Sequence, residues 1–411
     1  MLRPSDFDHK KSRSSVRTRR RQVALIYNAT QAYDLKVMSG VAAYLQEGVR
    51  WNIYLEANSL KDQRLPDLNS WKGDGIIANF DDPQVAATVM HSKVPSVGFG
   101  SGYGWYSRKS RIPYFSTNKE AVAHMAADHL MDRGFRHFAY CGYPHSPISG
   151  FSEERGQAFA KHVSQRGFAC QIFRGRHKTS RAWFAIQRSL GRWLESLPKP
   201  VGLMAADDQR ARQVLEVCRN SGLRVPEDVA VIGVDNDELL CQLSPTLLTS
   251  VEQGAKRIGY EAAALLDRMM AGRRPRKRWF RINPVGVVTR RSTDILAIED
   301  TRVANAMAFI WEHACQGIKV RDILNAMSTS RTGLETHFKA ILGHSIHTTI
   351  RRVQLERARG LIYETDLPVK QVAARTGFKT VQHMTILFSK MFGVPPAAYR
   401  RMTGTGRPAR D

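Results

Sequence analysis

The chain has 411 residues, 43% hydrophobic and 24% charged, enough for two or three domains with full cores. No apolar run reaches the length that crossing a membrane demands, and no signal-peptide apolar region is visible, so a cytoplasmic globular protein is expected. The net charge of +25 favours a polyanionic partner, and the lack of a basic helix with an apolar Trp, Phe and Leu face places nucleic acid ahead of a membrane surface.

Cys141, Cys170, Cys218, Cys241 and Cys315 are scattered and form no CxxC pair. They read as buried thiols in a reducing compartment. Residues 1–21 carry Arg3, Lys10, Lys11, Arg13, Arg17, Arg19, Arg20 and Arg21 against Asp6 and Asp8, with no apolar period. They read as a disordered basic arm, either touching phosphates or serving as a solvated tail.

Residues 22–283 alternate strands with helices. Strands are expected at 23–27, 51–55, 75–78, 94–99, 138–141, 201–205 and 229–234, where apolar residues run together. Helices are expected at 36–47, 85–90, 119–133, 153–166, 180–197, 209–221 and 254–272. This βαβα order implies parallel sheets covered on both faces. So many units in one stretch imply two lobes. Residues 273–291 hold eight Arg or Lys and no acid. They read as a solvated loop and edge strand, with a supporting phosphate contact as the other use. Residues 291–300 form the expected linker.

Beyond the linker the pattern turns helical. Residues 320–327 read as one helix. Ser330 is a good N-cap for a second at 332–342, whose apolar face is Leu334, Phe338, Ile341 and Leu342, ended by Gly343. Residues 346–363 form a long connecting helix; its Arg351, Arg352, Arg357 and Arg359 read as a solvated face. Pro368 suits a helix start, and Val369, Val372 and Ala373 share one face. Gly377 sits at a sharp turn that favours left-handed backbone. Val381, Met384, Leu387 and Phe388 then form another stripe. This is a pair of helix-turn-helix units, whose second helices enter the DNA major groove. An ordinary helical hairpin would show a similar pattern at either unit.

The run from Gly377-Phe378 through Phe388 and Phe392-Gly393-Val394 to Pro396 and Tyr399-Arg400 resembles the signature of the AraC/XylS family of bacterial transcription regulators. Against that family, Ser328 stands where a turn glycine is usual and Thr329 where an apolar residue is usual. Upstream, Asp207-Asp208-Gln209, the run from Gly222 to Asn236, and Leu248 to Gln253 resemble the effector domain of the LacI family. That resemblance implies a two-lobed, periplasmic-binding-protein-like domain with a ligand between the lobes. A sugar sensor joined to an AraC-type head resembles the regulators of the xylose operon. So do Asn28 to Asp34, Gly73 to Asp82, Arg291 to Asp294 and His313 to Val320. The expected fold class is therefore α/β, two-lobed, plus an all-α C-terminal domain: an effector and dimerisation domain at 22–290, a DNA-binding domain at 301–403 and a disordered tail at 404–411.

A sugar offers hydroxyls on an apolar ring. Its site needs carboxylates to accept, amides and guanidinium groups to donate, and an aromatic wall. Open α/β sheets hold ligands at the C-terminal strand ends, where Asn28, Asn79, Asp207 and Asp235 stand. Each is also a natural turn former or helix cap. The resemblance adds Tyr33 and Asp34 over the ligand, with Arg155 and Gln253 reaching in from helix and hinge. Paired carboxylates in a sugar cleft also fit glycoside hydrolysis. No G-x-S-x-G, Walker loop or HExxH motif is present, and the DNA-binding module supplies a complete non-enzymatic reading, with no cofactor and no metal.

In the head, Thr332, Glu335 and Thr336 of the first recognition helix lie opposite the apolar stripe, as do Gln382, His383 and Thr385 of the second. Gln pairs with adenine and Glu accepts from cytosine. Arg331, Lys379 and Thr380 at the helix starts, with Lys339 and Lys390, are expected against DNA, the lysines and Arg331 on phosphates. The resemblance implies double-stranded operator DNA, D-xylose as effector, RNA polymerase for an activator, and a homodimer.

Overall fold

The computed structural model describes residues 19–56, 71–101, 110–146, 149–175, 183–298 and 300–403. The expected arm up to residue 18 and the tail from residue 404 lie outside the described residues, as does the expected start of the helix at 180. Arg21, assigned to the arm, instead opens the first strand, and its guanidinium pairs with Asp267 at 2.9 Å.

Continuous apolar runs become strands buried on both faces. The first lobe holds β1 (Arg21–Ile26), β2 (Trp51–Glu56), β3 (Gly75–Asn79), β4 (Ser96–Phe99), β5 (Tyr114–Thr117) and β11 (Trp279–Ile282). The second holds β6 (His137–Cys141), β7 (Cys170–Phe173), β8 (Val201–Ala205), β9 (Val229–Val234), β10 (Thr249–Glu252) and β12 (Gly286–Val288). The strand orders are β11-β5-β4-β3-β1-β2 and β12-β10-β9-β8-β6-β7. Every pairing is parallel except β10 with β12 at the edge of the second sheet. One edge of each sheet is supplied by a strand from residues 279–288.

The covering helices are α1 (Ala32–Leu45), α2 (Pro83–His91), α3 (Lys119–Met131), α4 (Gly150–Gln165), α5 (Trp183–Ser196), α6 (Asp208–Asn220), α7 (Glu238–Leu243) and α8 (Ala255–Met270). Helices α1 and α8 touch backbone to backbone. A Cβ on Gly40 would lie 1.8 Å from the Lys256 carbonyl oxygen, and one on Gly259 1.8 Å from that of Val37. Only glycine fits at either position.

The chain passes between lobes at 117–118, 253–254 and 283–285. These crossovers are tied together. Asn118 donates from its backbone to Ile282 at 2.8 Å and from its amide to Asn283 at 2.9 Å, and the Val285 N–H donates to the Glu252 carbonyl at 2.7 Å.

The C-terminal region is all helical: α9 (Thr301–His313), α10 (Val320–Ala326), α11 (Arg331–Leu342), α12 (Ile346–Glu364), α13 (Val369–Arg375), α14 (Val381–Phe392) and α15 (Pro396–Thr403). Helices α10 and α11 form the first helix-turn-helix unit, α13 and α14 the second, with α12 between them. Leu334, Phe338 and Leu342 fill one small core, and Val372, Ala373, Met384 and Phe388 the other. Ser330 caps α11 and Thr380 caps α14. Gly377 has φ of 77° and Ser328, in the equivalent turn, φ of 50°. The first turn thus holds a non-glycine residue in the left-handed region, a strained placement.

Further expectations need correcting here. Residues 291–293 are not linker: Ser292 and Thr293 are fully buried in the second lobe, where the Ser292 hydroxyl donates to the Val231 carbonyl at 2.6 Å. The connection to the head begins after them. The arginines of α12 are not a wholly solvated face either. Arg352 pairs with Asp132 of the second lobe at 2.6 Å, and Arg359, 6% exposed, donates to the Val287 carbonyl at 2.6 Å. Among the cysteines, Cys141, Cys218 and Cys241 are buried, whereas Cys170 and Cys315 are partly exposed; all five are free thiols. No helix among the described residues is long and apolar enough to cross a membrane.

Candidate functional site: an interlobe cleft and a helical DNA-binding face

A cleft of about 490 Å³ opens between the lobes. Asn28, Tyr33, Asp34, Asn79, Arg155, Asp207, Asp235 and Gln253, the eight residues expected at a ligand site, all line it. The reason is topological. Asn28 follows β1, Asn79 ends β3, Asp207 follows β8 and Asp235 follows β9, so the C-terminal strand ends of both sheets face the same gap. Tyr33 and Asp34 open α1, Arg155 lies on α4, and Gln253 stands on a crossover.

These side chains are held by one another. Asp34 accepts from the Asn28 backbone at 2.8 Å and the Asn79 amide at 2.6 Å. It is not the cap of α1, which begins two residues earlier. Asp207 is a cap as well as a cleft residue: it accepts from the Arg210 backbone at 2.7 Å and from the Tyr143 hydroxyl at 2.8 Å. Arg155 donates to Gln253 at 2.6 Å and to the Ala206 carbonyl, and Gln253 donates in turn to Asp235. Asp208 turns away from the cleft and accepts from Ser250 at 2.6 Å and the Asp237 backbone at 2.7 Å.

Among the described residues, buried Arg155 Nε has no hydrogen-bond partner. The apolar wall is Phe151, whose ring lies 5.1 Å from the Arg155 guanidinium, together with Tyr143. Sequence reasoning missed Tyr143, Asp81 and Phe151. Tyr143 obeys the same strand-end rule, two residues after β6, and Asp81 two residues after β3. Phe151 sits one residue into α4, where nothing local marks it.

The cleft concentrates acid in a dry space. Burial pushes Asp34 up to about 6, Asp81 to about 7 and Asp235 to about 7, and it raises Asp207. The neighbouring Asp34 charge raises Asp81 further, while Arg155 opposes the shift at Asp235. These folded values lie above the ordinary 3.8, so the fold binds protons that the unfolded chain releases. The empty protein therefore loses stability from these groups as pH rises from about 4 to about 7. Asp81→Asn is expected to shrink the drop in Tm between pH 5 and pH 8 relative to the parent. An identical drop in both proteins would place the pH dependence elsewhere.

Among the described residues no group of three or more His, Cys, Asp or Glu could hold a metal ion. Asp207 accepts a capping and a phenol contact and Asp235 an amide contact, which sets donors and acceptors in fixed places around the cleft.

The helical region presents a second surface. Arg331, Thr332, Thr336 and Lys339 on α11 are exposed, as are Lys379, Thr380, Gln382, His383 and Lys390 on and before α14; Glu335 and Thr385 are half-buried. Glu335 pairs with Arg331 at 3.2 Å, and the Thr380 hydroxyl accepts from the His383 backbone at 3.2 Å. Thus the pair on α11 partly neutralises itself, and Thr380 is a cap first.

Comparison with known proteins accounts for both surfaces. Residues 22–120 match the XylR N-terminal domain, residues 127–293 a periplasmic binding protein-like domain, and residues 323–402 a helix-turn-helix domain. The chain is 36% identical over 384 residues to the xylose operon regulatory protein of Escherichia coli (strain K12), covering 93% of this chain and 97% of that one. It is 34% identical over 380 residues to the protein of that name from Haemophilus influenzae, covering 92% and 98%. A solved structure described as that of the xylose-binding transcription activator xylR is 36% identical, covers 94% of this chain and 99% of its own, and superposes with a TM-score of 0.62.

Proposed function

We propose, for a chain that belongs to the family of xylose operon regulatory proteins, that D-xylose is the ligand of the interlobe cleft and that its binding controls recognition of operator DNA. The protein is a sugar-binding transcription regulator and not an enzyme. The observation that carries the reading is the cleft itself: carboxylates, amides and a guanidinium from both lobes around a space of about 490 Å³, in a family whose relatives regulate xylose operons. Asp207 and Asp235 accept from sugar hydroxyls. Asn28, Asn79, Arg155 and Gln253 donate, Asp34 orients Asn79, and Tyr33 covers the ring.

Binding draws the lobes together and shifts a population of head arrangements towards one that fits DNA. The chain works in the cytoplasm as a homodimer, activates transcription through RNA polymerase, and uses an effector domain at 21–293 and a head at 301–403. In the head, Gln382, His383, Thr385, Thr332, Glu335 and Thr336 read bases, whereas Arg331, Lys339, Lys379 and Lys390 hold phosphates and Thr380 fixes the start of α14.

A thermal-shift series against xylose, arabinose, ribose, fucose and glucose tests the ligand. At about 100 times the Kd, a ligand adds about 2.7 kcal/mol, a shift of roughly 5–10 °C for a domain of this size. Xylose is expected to give the largest shift. No shift with xylose at millimolar concentration, or a larger one with another sugar, overturns its assignment.

A further inference from the structure

The third crossover between the lobes ends in a residue buried against the DNA-binding region. Val285 is 8% exposed, and it packs in one cluster with Leu355, Ala358 and Ile362 of α12, with Val372, Met384 and Phe388 of the second helix-turn-helix unit, and with Tyr399 of α15. One side chain of the head holds the crossover backbone, and a second holds β12 directly after it. The Tyr399 hydroxyl donates to the Val285 carbonyl at 3.2 Å, and Arg359 donates to the Val287 carbonyl at 2.6 Å. Gly286 lies under that guanidinium so closely that a Cβ would stand 1.7 Å from Arg359 Nη1. The second unit is thus assembled around a piece of the sensor's hinge.

The part of the head formed by α9, α11 and the start of α12 is fastened elsewhere. Arg352 pairs with Asp132 just after α3, the Arg136 guanidinium donates to the Ile341 carbonyl at 3.1 Å, and Arg133 lies 5.2 Å from the Trp311 ring. All three partners belong to the second lobe. Helix α12 therefore runs from an anchor on that lobe at Arg352 to a second on its strand β12 at Arg359, where Leu355, Ala358 and Ile362 share a core with the hinge residue Val285.

The hinge anchor is one step from the cleft. The Val285 N–H bonds to the Glu252 carbonyl at 2.7 Å, and the next residue, Gln253, bonds to Asp235 and Arg155 in the cleft. Glu252 also receives Lys36 of α1, so the first lobe's ligand-bearing helix is tied to the same point. A change in the angle between lobes must turn residues 283–285, and the turn reaches the head through Val285, because a close-packed core transmits displacement.

We propose that Tyr399, Arg359 and Gly286 are positioning residues that couple the sensor to the DNA-binding head: the head reads the lobe angle through the crossover it encloses, within a single protomer. The inference rests on the sensor reading above. By linkage, sugar must change DNA affinity and DNA must change sugar affinity by the same factor.

The test measures that factor on the full chain, by calorimetry with D-xylose and anisotropy with a duplex that the intact chain selects from a random-sequence pool. The parent is expected to give a factor of about 5-fold or more, equal in both directions. Gly286→Ala and the milder Tyr399→Phe are each expected to reduce it at least about threefold, while leaving xylose affinity without DNA, and DNA affinity without xylose, within about threefold of the parent. Tyr399→Phe keeps its ring and so reports even where Gly286→Ala misfolds. A parent factor of one, or one unchanged in the variants that fold, overturns the coupling and leaves the sensor reading intact. A parent that binds no xylose overturns both.

Discussion

Arg155→Ala is expected to weaken sugar binding by about 100-fold or more, roughly 3 kcal/mol, the scale of truncating one partner in a buried charged network. The residue is 4% exposed and bridges three groups: Gln253, the Ala206 carbonyl and the Phe151 ring. Its charge also opposes the upward shift of Asp235 and Asp207. Without it those carboxyls hold their protons more tightly and accept less well from a hydroxyl. Arg155→Lys is expected to restore the charge but not the binding, because an ammonium lacks the planar fork that reaches two partners at once. Calorimetry on both variants reads the effect. The parent's duplex affinity without sugar serves as the check that the head is intact. Affinity within about threefold of the parent in Arg155→Ala would remove Arg155 from the ligand site.

Gln382→Ala is expected to cost about 1–3 kcal/mol at one base pair of the operator and to relax the preference there. Gln382 is exposed on the first turn of α14, opposite the buried Met384 and Phe388. That placement presents its amide where a recognition helix meets base edges, and an amide pairs bidentately with adenine. Lys379, just before the helix, is expected to behave differently: Lys379→Ala weakens all sequences alike and flattens the salt dependence by about one phosphate contact. A binding series over every single-base operator variant separates the two. A uniform loss with Gln382→Ala would make it a backbone contact and displace α14 in the groove.

The fold was legible where one physical signal dominated. β1, β8 and β9 are apolar throughout or nearly so because helices cover both faces, and they were read from that alone. β7 and β11 are edge strands with half-buried side chains, and β5 and β10 are four residues long with polar members. None carries a run long enough to stand out. The ligand cleft was legible because strand ends in an open sheet converge whatever the side chains, so Asn28, Asn79, Asp207 and Asp235 could be found together. Tyr143 and Asp81 satisfied the same rule and had the right chemistry, but each stands two residues past its strand end, where a turn residue is equally natural.

The contacts between head and sensor were not legible at all. Arg352 meets Asp132 across 220 positions and Arg359 meets Val287 across 72. On α12 both arginines look like any others on a polar helix face, because their partners come only with the tertiary fold. Ser328 is the opposite case. A turn that elsewhere takes glycine holds its left-handed backbone with a serine, and the departure was visible from the motif before the angle was known.

Whether a sugar in the cleft governs DNA binding is read from the operator affinity of the intact chain with and without D-xylose. Saturating xylose is expected to tighten binding to the selected duplex by about 5-fold or more, and Arg155→Ala to abolish this response while binding the duplex normally without sugar. A chain that binds xylose by calorimetry yet holds the duplex with the same affinity in its presence and absence would contradict it.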